Sequence, residues 1–188
     1  MDIYYFGKPC SFSHIASLKR FGEDNNFISK KSIDGTIDSL IISNEKNSLA
    51  IVPIENTYGG VITDTVDALF KLHNKKSINW INIKEELEMK IELYLLGKEK
   101  INFDRIKKIY SNEHALRESK EWLEKYIPTA RAIKIGSTSE ATSQVQKEKY
   151  SYAIASSEAA KQYNLVKLAR IDAGEKRNLT RFFVLARQ

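Results

Sequence analysis

The sequence predicts an α/β fold built as two lobes. Short apolar runs alternate with segments of helical periodicity through the first 70 residues, which argues for a mostly parallel sheet covered on both faces. Near Ser77 the alternation breaks, and two strand-like runs follow one another without a helix, marking a crossing into a second lobe. Only 3 prolines and 8 glycines occur in 188 residues, so no flexible tether separates the lobes and their boundary is a tight hinge.

Ile3-Tyr4-Tyr5-Phe6 reads as a buried strand stopped by Gly7. A helix follows over residues 13–21, with Ser11 or Ser13 as its cap and Gly22 as its end. Asp34 is placed to cap the next helix, on which Ile37, Leu40 and Ile41 keep helical spacing. Leu49-Ala50-Ile51-Val52 is a buried strand ended by Pro53, and after Gly59-Gly60 a helix carries Val66, Leu69 and Phe70 on one face. Past Ser77, residues 78–83 and 89–96 are strand-like, the latter with Met89, Ile91, Leu93 and Leu95 in alternation. Residues 106–110 form a strand, and Ser111 opens a helix with Leu116, Ser119, Trp122, Leu123 and Tyr126 along one stripe, which Pro128 stops. Residues 130–135 are a strand, and Ser137-x-x-Glu140 is a capping box for the next helix. Residues 152–155 are a strand followed by a Ser156 cap and an Asn164 left-handed stop; residues 167–171 and 181–185 close the chain as strands.

A hydrophobic content of 42% and a charged content of 29% are ordinary for a soluble globular protein. No apolar run nears the ~20 residues needed to span a bilayer, and the N-terminus lacks a secretory pattern. Cys10 is the single cysteine, which excludes an internal disulfide; the expected location is the cytoplasm. The net charge of +6 is spread over 22 lysines and 8 arginines with no run longer than pairs such as Lys30-Lys31. Nucleic-acid recognition concentrates charge and leans on Arg, so neither nucleic acid nor membrane is an expected partner. His14, His73 and His114 have no metal-ligand spacing, and no nucleophile elbow or phosphate-binding glycine loop occurs.

The stretch Asn178-Leu179-Thr180-Arg181-Phe182-Phe183-Val184-Leu185 reads as a turn running into a buried strand. At its mouth Thr180 and Arg181 set a proton donor and a fork-shaped cation side by side. Four other turns pass from a strand to a helix N-terminus, where α/β sheets bind ligands and backbone N–H groups favour anions. Taken alone, each serine there is a cap. Taken in order, Gly7-Lys8-Pro9-Cys10-Ser11-Phe12-Ser13, Pro53-Ile54-Glu55-Asn56-Thr57, Ser111, Ser137-Thr138 and Asn178-x-Thr180-Arg181-Phe182 resemble the prephenate dehydratase family, over the chain from Tyr4 to Leu185.

The resemblance implies two α/β lobes of the type II periplasmic-binding-protein kind, with the active site in the cleft between them. Residues 1–77 and 165–188 would form the first lobe and residues 78–164 the second. It implies conversion of prephenate, a small dicarboxylate, to phenylpyruvate with loss of water and carbon dioxide in phenylalanine biosynthesis. That chemistry requires no metal or organic cofactor, and the expected assembly is a homodimer or higher homo-oligomer. Thr180 matches the family's essential threonine and would donate to the departing ring hydroxyl, while Arg181 would anchor a carboxylate. Asn56, Ser111 and the backbone at Ser137 and Thr138 would hold the remaining oxygens, with Thr57, Ser11, Phe12 and Phe182 also at the substrate. Glu55 would orient Asn56 or its loop.

The chain departs from the family pattern in several places. Cys10-Ser11-Phe12 replaces Gly-Thr-Phe, Thr57 replaces a Ser, and Ser111-Asn112-Glu113-His114 replaces Ser-His-Pro-Gln. Glu118 stands where the family usually has Gln, seven residues and about two helical turns from Ser111. It is either a specificity residue favouring the ammonium-tailed arogenate or a solvent-facing charge. Rival readings are an arogenate dehydratase, a decarboxylase that does not aromatise, and a non-catalytic sensor on the same scaffold. Only Phe183 to Gln188 follow the Thr-Arg-Phe triplet, so the expectation is of a catalytic part without the family's regulatory domain or its phenylalanine feedback.

Overall fold

Ile3, Tyr4 and Tyr5 are buried in β1 (Asp2–Phe6), as the opening apolar run demands. The structure is a computed structural model that describes residues 1–74, 81–172 and 177–188. It divides into two units, Met1–Lys90 with Leu179–Gln188, and Ile91–Asn178.

In the first unit, β1 lies between β2 (Asn26–Lys30) and β3 (Leu49–Asn56), all parallel. The two-residue β4 (Gly60–Val61) folds back on Glu55 and Asn56. On the far side β3 pairs antiparallel with β11 (Leu179–Arg187), which pairs antiparallel with β5 (Ile81–Lys90), giving the order β2-β1-β3-β11-β5. Helices α1 (Phe12–Phe21), α2 (Ile33–Ile42) and α3 (Thr63–Asn74) alternate with these strands. Ile33, Ile37 and Leu40 of α2 and Ala68 and Leu72 of α3 bury against Tyr4, Ala50, Val52 and Leu185. Each large aliphatic side chain so buried contributes about 1.5–3 kcal/mol.

In the second unit, β7 (Lys108–Ser111), β8 (Arg131–Lys134) and β9 (Ser151–Ala155) are parallel. Antiparallel β6 (Leu93–Gly97) and β10 (Val166–Ile171) extend the sheet in the order β10-β6-β9-β7-β8. Central β9 is buried at every residue, which explains its unbroken small and apolar sequence. Helices α4 (Glu113–Glu118), α5 (Lys120–Tyr126), α6 (Thr138–Val145) and α7 (Ser157–Gln162) belong to this unit. Among the described residues no helix is long and apolar enough to cross a membrane.

The division falls at Lys90/Ile91 and Asn178/Leu179, where residues 77 and 165 were expected. Ser77, and the start of the strand expected at residues 78–83, lie outside the described residues. β5 stays with the first unit because it pairs with β11 from Ile81 to Lys90, and β10 stays with the second because it pairs with β6. The alternating run from Met89 to Leu95 is therefore split, its first part in one sheet and Leu93–Gly97 in the other. The chain's two crossings are tied by the Ile91 N–H donating to the Asn178 carbonyl at 2.8 Å.

Local details also differ. The first unit's sheet is mixed, where a mostly parallel one was expected. Ser32, not Asp34, caps α2, accepting from the Gly35 N–H at 3.0 Å, while Asp34 pairs with Lys71. β3 runs through Pro53 to Asn56, because the missing N–H of Pro53 falls at a bulge opposite Phe182. On α3 the buried side is Thr65, Ala68 and Leu72, and Phe70 is 64% exposed. The helix after Ser111 breaks at Ser119 into α4 and α5, with Ala115, Ser119, Leu123 and Ile127 buried and Tyr126 exposed.

Candidate active site

Thr180 and Asn56 face each other across the β11–β3 ladder. The Asn56 amide nitrogen donates to Thr180 Oγ1 at 2.9 Å and to the Leu179 carbonyl at 3.2 Å. Its oxygen accepts from the Tyr58 and Gly59 N–H groups, each at 2.9 Å, closing the turn into β4. Backbone N–H groups can only donate and a carbonyl can only accept, so these partners settle which way the Asn56 amide points. Thr180 Oγ1 is consequently an acceptor toward Asn56. Among the described residues no acceptor takes its proton. Thr180 as a residue is 7% exposed. Thr57 completes the arrangement: its Oγ1 accepts from the Leu179 N–H and its own N–H donates to the Leu179 carbonyl, both at 3.0 Å.

Thr180 and Arg181 are adjacent in sequence but project from opposite faces of the sheet. Every residue of β11 around them has a partner on both neighbouring strands, so successive side chains alternate. Phe183 and Leu185, which share the Arg181 side, pack with α2 and α3. Thr180, Phe182 and Val184 take the other side. The expected pairing of donor and cation is therefore corrected. The Arg181 guanidinium contacts Glu55 through Nε at 3.1 Å and through Nη2, and Glu86 through Nη1 at 3.1 Å. The Glu55 hydrogen bond, then Glu86, push its pKa further up. Phe182, on the Thr180 side of the strand, is buried at 1% exposure.

The turn after β1 is held by its own polar groups. Ser11 caps α1, accepting from the His14 N–H at 3.3 Å and donating to the Phe6 carbonyl at 3.1 Å; Phe12 is the first helical residue and half-buried. Gly7 adopts a positive φ of 98°, and a Cβ there would sit 3.0 Å from the Ser11 side chain. Cys10 is also left-handed at φ 63°, and its N–H donates to His14 Nδ1 at 3.1 Å. That bond requires a neutral ring with its proton on Nε2. The ring lies against Tyr5 and Phe27, and burial pushes its pKa down.

In the second unit Ser111 ends β7 instead of opening a helix. It is fully buried, and its hydroxyl donates to the Ile154 carbonyl of β9 at 2.7 Å. The cap of α4 is Asn112, accepting from the Ala115 N–H at 2.8 Å. Glu113 pairs with Lys134, and His114 is exposed. Ser137 caps α6, accepting from the Glu140 N–H at 3.1 Å, and Thr138 is buried in the first turn. Glu118 neither points to open solvent nor stands free: its Oε2 accepts from Asn178 Nδ2 at 2.6 Å. Burial raises its pKa, and the Asn178 hydrogen bond offsets part of that rise.

The structure thus brings Glu55, Asn56, Thr180 and Arg181 together in one sheet, Thr180 and Arg181 on opposite faces, with Thr57 in the turn that follows β3. Three participants escape a reading of the sequence. Asn178 lies in the Thr180 stretch, but nothing local links it to Glu118. Glu86 reaches Arg181 only through the pairing of β5 with β11. His14 carries a signal only in its spacing from Cys10. Among the described residues no cluster of three His, Cys, Asp or Glu side chains is arranged to hold a metal ion.

A family model described as prephenate dehydratase matches residues 3–188. The chain is 32% identical over 190 residues to the bifunctional chorismate mutase/prephenate dehydratase of Stutzerimonas stutzeri, covering 100% of this chain and 49% of that protein. It spans about half the length of the first curated relatives it matches. Among solved structures, a prephenate dehydratase in complex with L-Phe from Arthrobacter aurescens superposes with a TM-score of 0.85 at 22% identity, covering 100% of this chain and 61% of that one. An ABC transporter protein from Parabacteroides distasonis gives 0.50 at 13% identity, covering 100% of this chain and 66% of that one. The fold is the two-lobed α/β architecture of type II periplasmic binding proteins. With the family match running over nearly every residue that builds both sheets, the chain belongs to the prephenate dehydratase family.

Proposed function

We propose that this chain converts prephenate to phenylpyruvate, as a decarboxylating hydro-lyase, with Thr180 as the donor to the departing hydroxyl. The reaction consumes one proton from solvent and releases water and carbon dioxide. The C–C bond to the ring carboxylate breaks, its electron pair enters the ring, and the C–O bond to the ring hydroxyl breaks as that oxygen is protonated. Aromatisation drives the step, so the protein needs chiefly to place a hydrogen-bond donor at the leaving oxygen. The observation that carries this reading is the Asn56–Thr180 hydrogen bond, which occupies a lone pair of Thr180 Oγ1 and, among the described residues, leaves its proton uncommitted. A hydroxyl is a weak acid by its pKa, so its role is that of a positioned donor or relay. A dianionic substrate also suits a chain of net charge +6.

The test is to mix purified protein with prephenate and follow phenylpyruvate. Thr180→Val keeps the β-branched shape and removes the donor. Losing one transition-state hydrogen bond costs ~10²–10³ in rate, so kcat should fall by that factor while substrate affinity stays close to wild type. Wild-type kcat in Thr180→Val removes Thr180 from the mechanism.

A further inference from the structure

We infer that Arg181 is a positioning residue, which sets the β3–β11–β5 register beneath Thr180 and does not anchor the substrate's carboxylate. The inference rests on the reading of Thr180 as donor. One guanidinium joins three strands: it lies on β11, contacts Glu55 directly opposite on β3, and contacts Glu86 diagonally on β5. Two carboxylates outnumber its single positive charge, so an anionic ligand would meet no net positive charge there. Its face is the one that carries Phe183 and Leu185 into the α2 and α3 core, opposite to Thr180.

The local geometry explains why a clamp is placed there. β3 carries a bulge between Pro53 and Glu55, where Ile54 has no partner on β11. A bulge leaves its extra residue unpaired and bends the strand, and it lies immediately before Asn56, which donates to Thr180. Arg181 and Glu55 form the first pair beyond the bulge, and Asn56 and Thr180 form the next. The side chains are 45%, 40% and 46% exposed for Arg181, Glu55 and Glu86, so solvent screens the ion pairs and they add little to global stability. What the fork contributes is alignment, through fixed N–H directions to two strands at once.

Steady-state kinetics with prephenate on Arg181→Gln, Glu55→Gln, the double variant and Thr180→Val test this, with hydrogen exchange of the β3–β11–β5 amides measured in parallel. A positioning role predicts that Arg181→Gln and Glu55→Gln each lower kcat by about tenfold or more, given that a misplacement of about 1 Å costs ~10²-fold. KM should change less than about threefold, and the double variant should be no worse than the poorer single one. Exchange near Thr180 should rise in both singles, with the β1–β2 ladder unchanged. A KM increase of about 100-fold with unchanged kcat in Arg181→Gln, absent from Glu55→Gln, overturns the inference and restores Arg181 as an anchor. Unaltered exchange in a folded Arg181→Gln protein also overturns it. Full activity in Thr180→Val would sink the donor reading instead, and the exchange measurement would still judge the clamp.

Discussion

Asn56 donates to Thr180 Oγ1 at 2.9 Å while its own oxygen is held by two backbone N–H groups. The amide is thus engaged at both ends by the protein, which makes it an orienting group for Thr180 where a direct grip on substrate oxygens was expected. Asn56→Asp separates these roles, because it keeps the acceptor for the turn and replaces the donor facing Thr180 with a second acceptor. The Thr180 proton would then turn toward the introduced carboxylate, away from a substrate. We expect a folded protein whose kcat is lower by ~10²-fold or more. Circular dichroism and turnover on the same sample check it, and near-wild-type kcat would show that Asn56 does not orient Thr180.

Glu118 gives a pH dependence of definite sign. Burial raises its folded-state pKa above the unfolded value, so its contribution to stability is fully present below the ordinary glutamate range. That contribution is lost as pH rises through the folded-state value. Glu118→Gln retains an acceptor for Asn178 and removes the titration. It should be more stable than wild type at about pH 7, with the difference vanishing toward about pH 4. Urea midpoints at both pH values decide this, and a variant less stable than wild type at neutral pH would contradict it.

His14 acts in the opposite sense. Its folded-state pKa is depressed, so its contribution is present above the ordinary value of about 6.5 and lost as pH falls. Protonation also turns Nδ1 from acceptor to donor and breaks its bond with the Cys10 N–H. In a two-dimensional NMR titration the imidazole midpoint should lie below about 6.5. The Cys10 amide shift should move with the same midpoint, and a midpoint above that value would refute the assignment.

Gly97 meets Tyr152 so closely that a Cβ there would lie 2.1 Å from the ring. Tyr152 is buried and its hydroxyl donates to the Glu99 carbonyl at 2.6 Å, so the ring has little room to retreat. Gly97→Ala should destabilise the second unit by about 1–3 kcal/mol or more through overpacking. A thermal midpoint equal to wild type would show that β6 and β9 separate more easily than this packing implies.

Local signals are legible where one residue settles the outcome. Ser137 and Ser156 cap their helices, and Asn164 adopts the left-handed stop at φ 49°, because a cap or stop involves only neighbours in sequence. Where two capping residues stand close together, the sequence does not choose correctly between them. Ser32 displaces Asp34, and Asn112 takes the role expected of Ser111, since the strand before it runs one residue further. β2 has no signature of its own, because Asn26–Lys30 is a polar edge strand that shows no buried run.

The sequence by itself determined the family, the α/β class and the composition of the Thr180 stretch. Each of these is carried by residue order, apolar runs and turn chemistry, which survive without knowledge of contacts. Only the tertiary structure decided where the chain changes sheets, because the apolar alternation from Met89 to Leu95 reads the same whether or not the partner strand changes within it. It alone separated Thr180 from Arg181, by placing them in an extended strand whose side chains alternate, and gave Arg181 two carboxylates, 95 and 126 residues away in the chain. Strand pairing is long-range, so the partners of a side chain at a sheet's mouth follow from register, which no local pattern encodes.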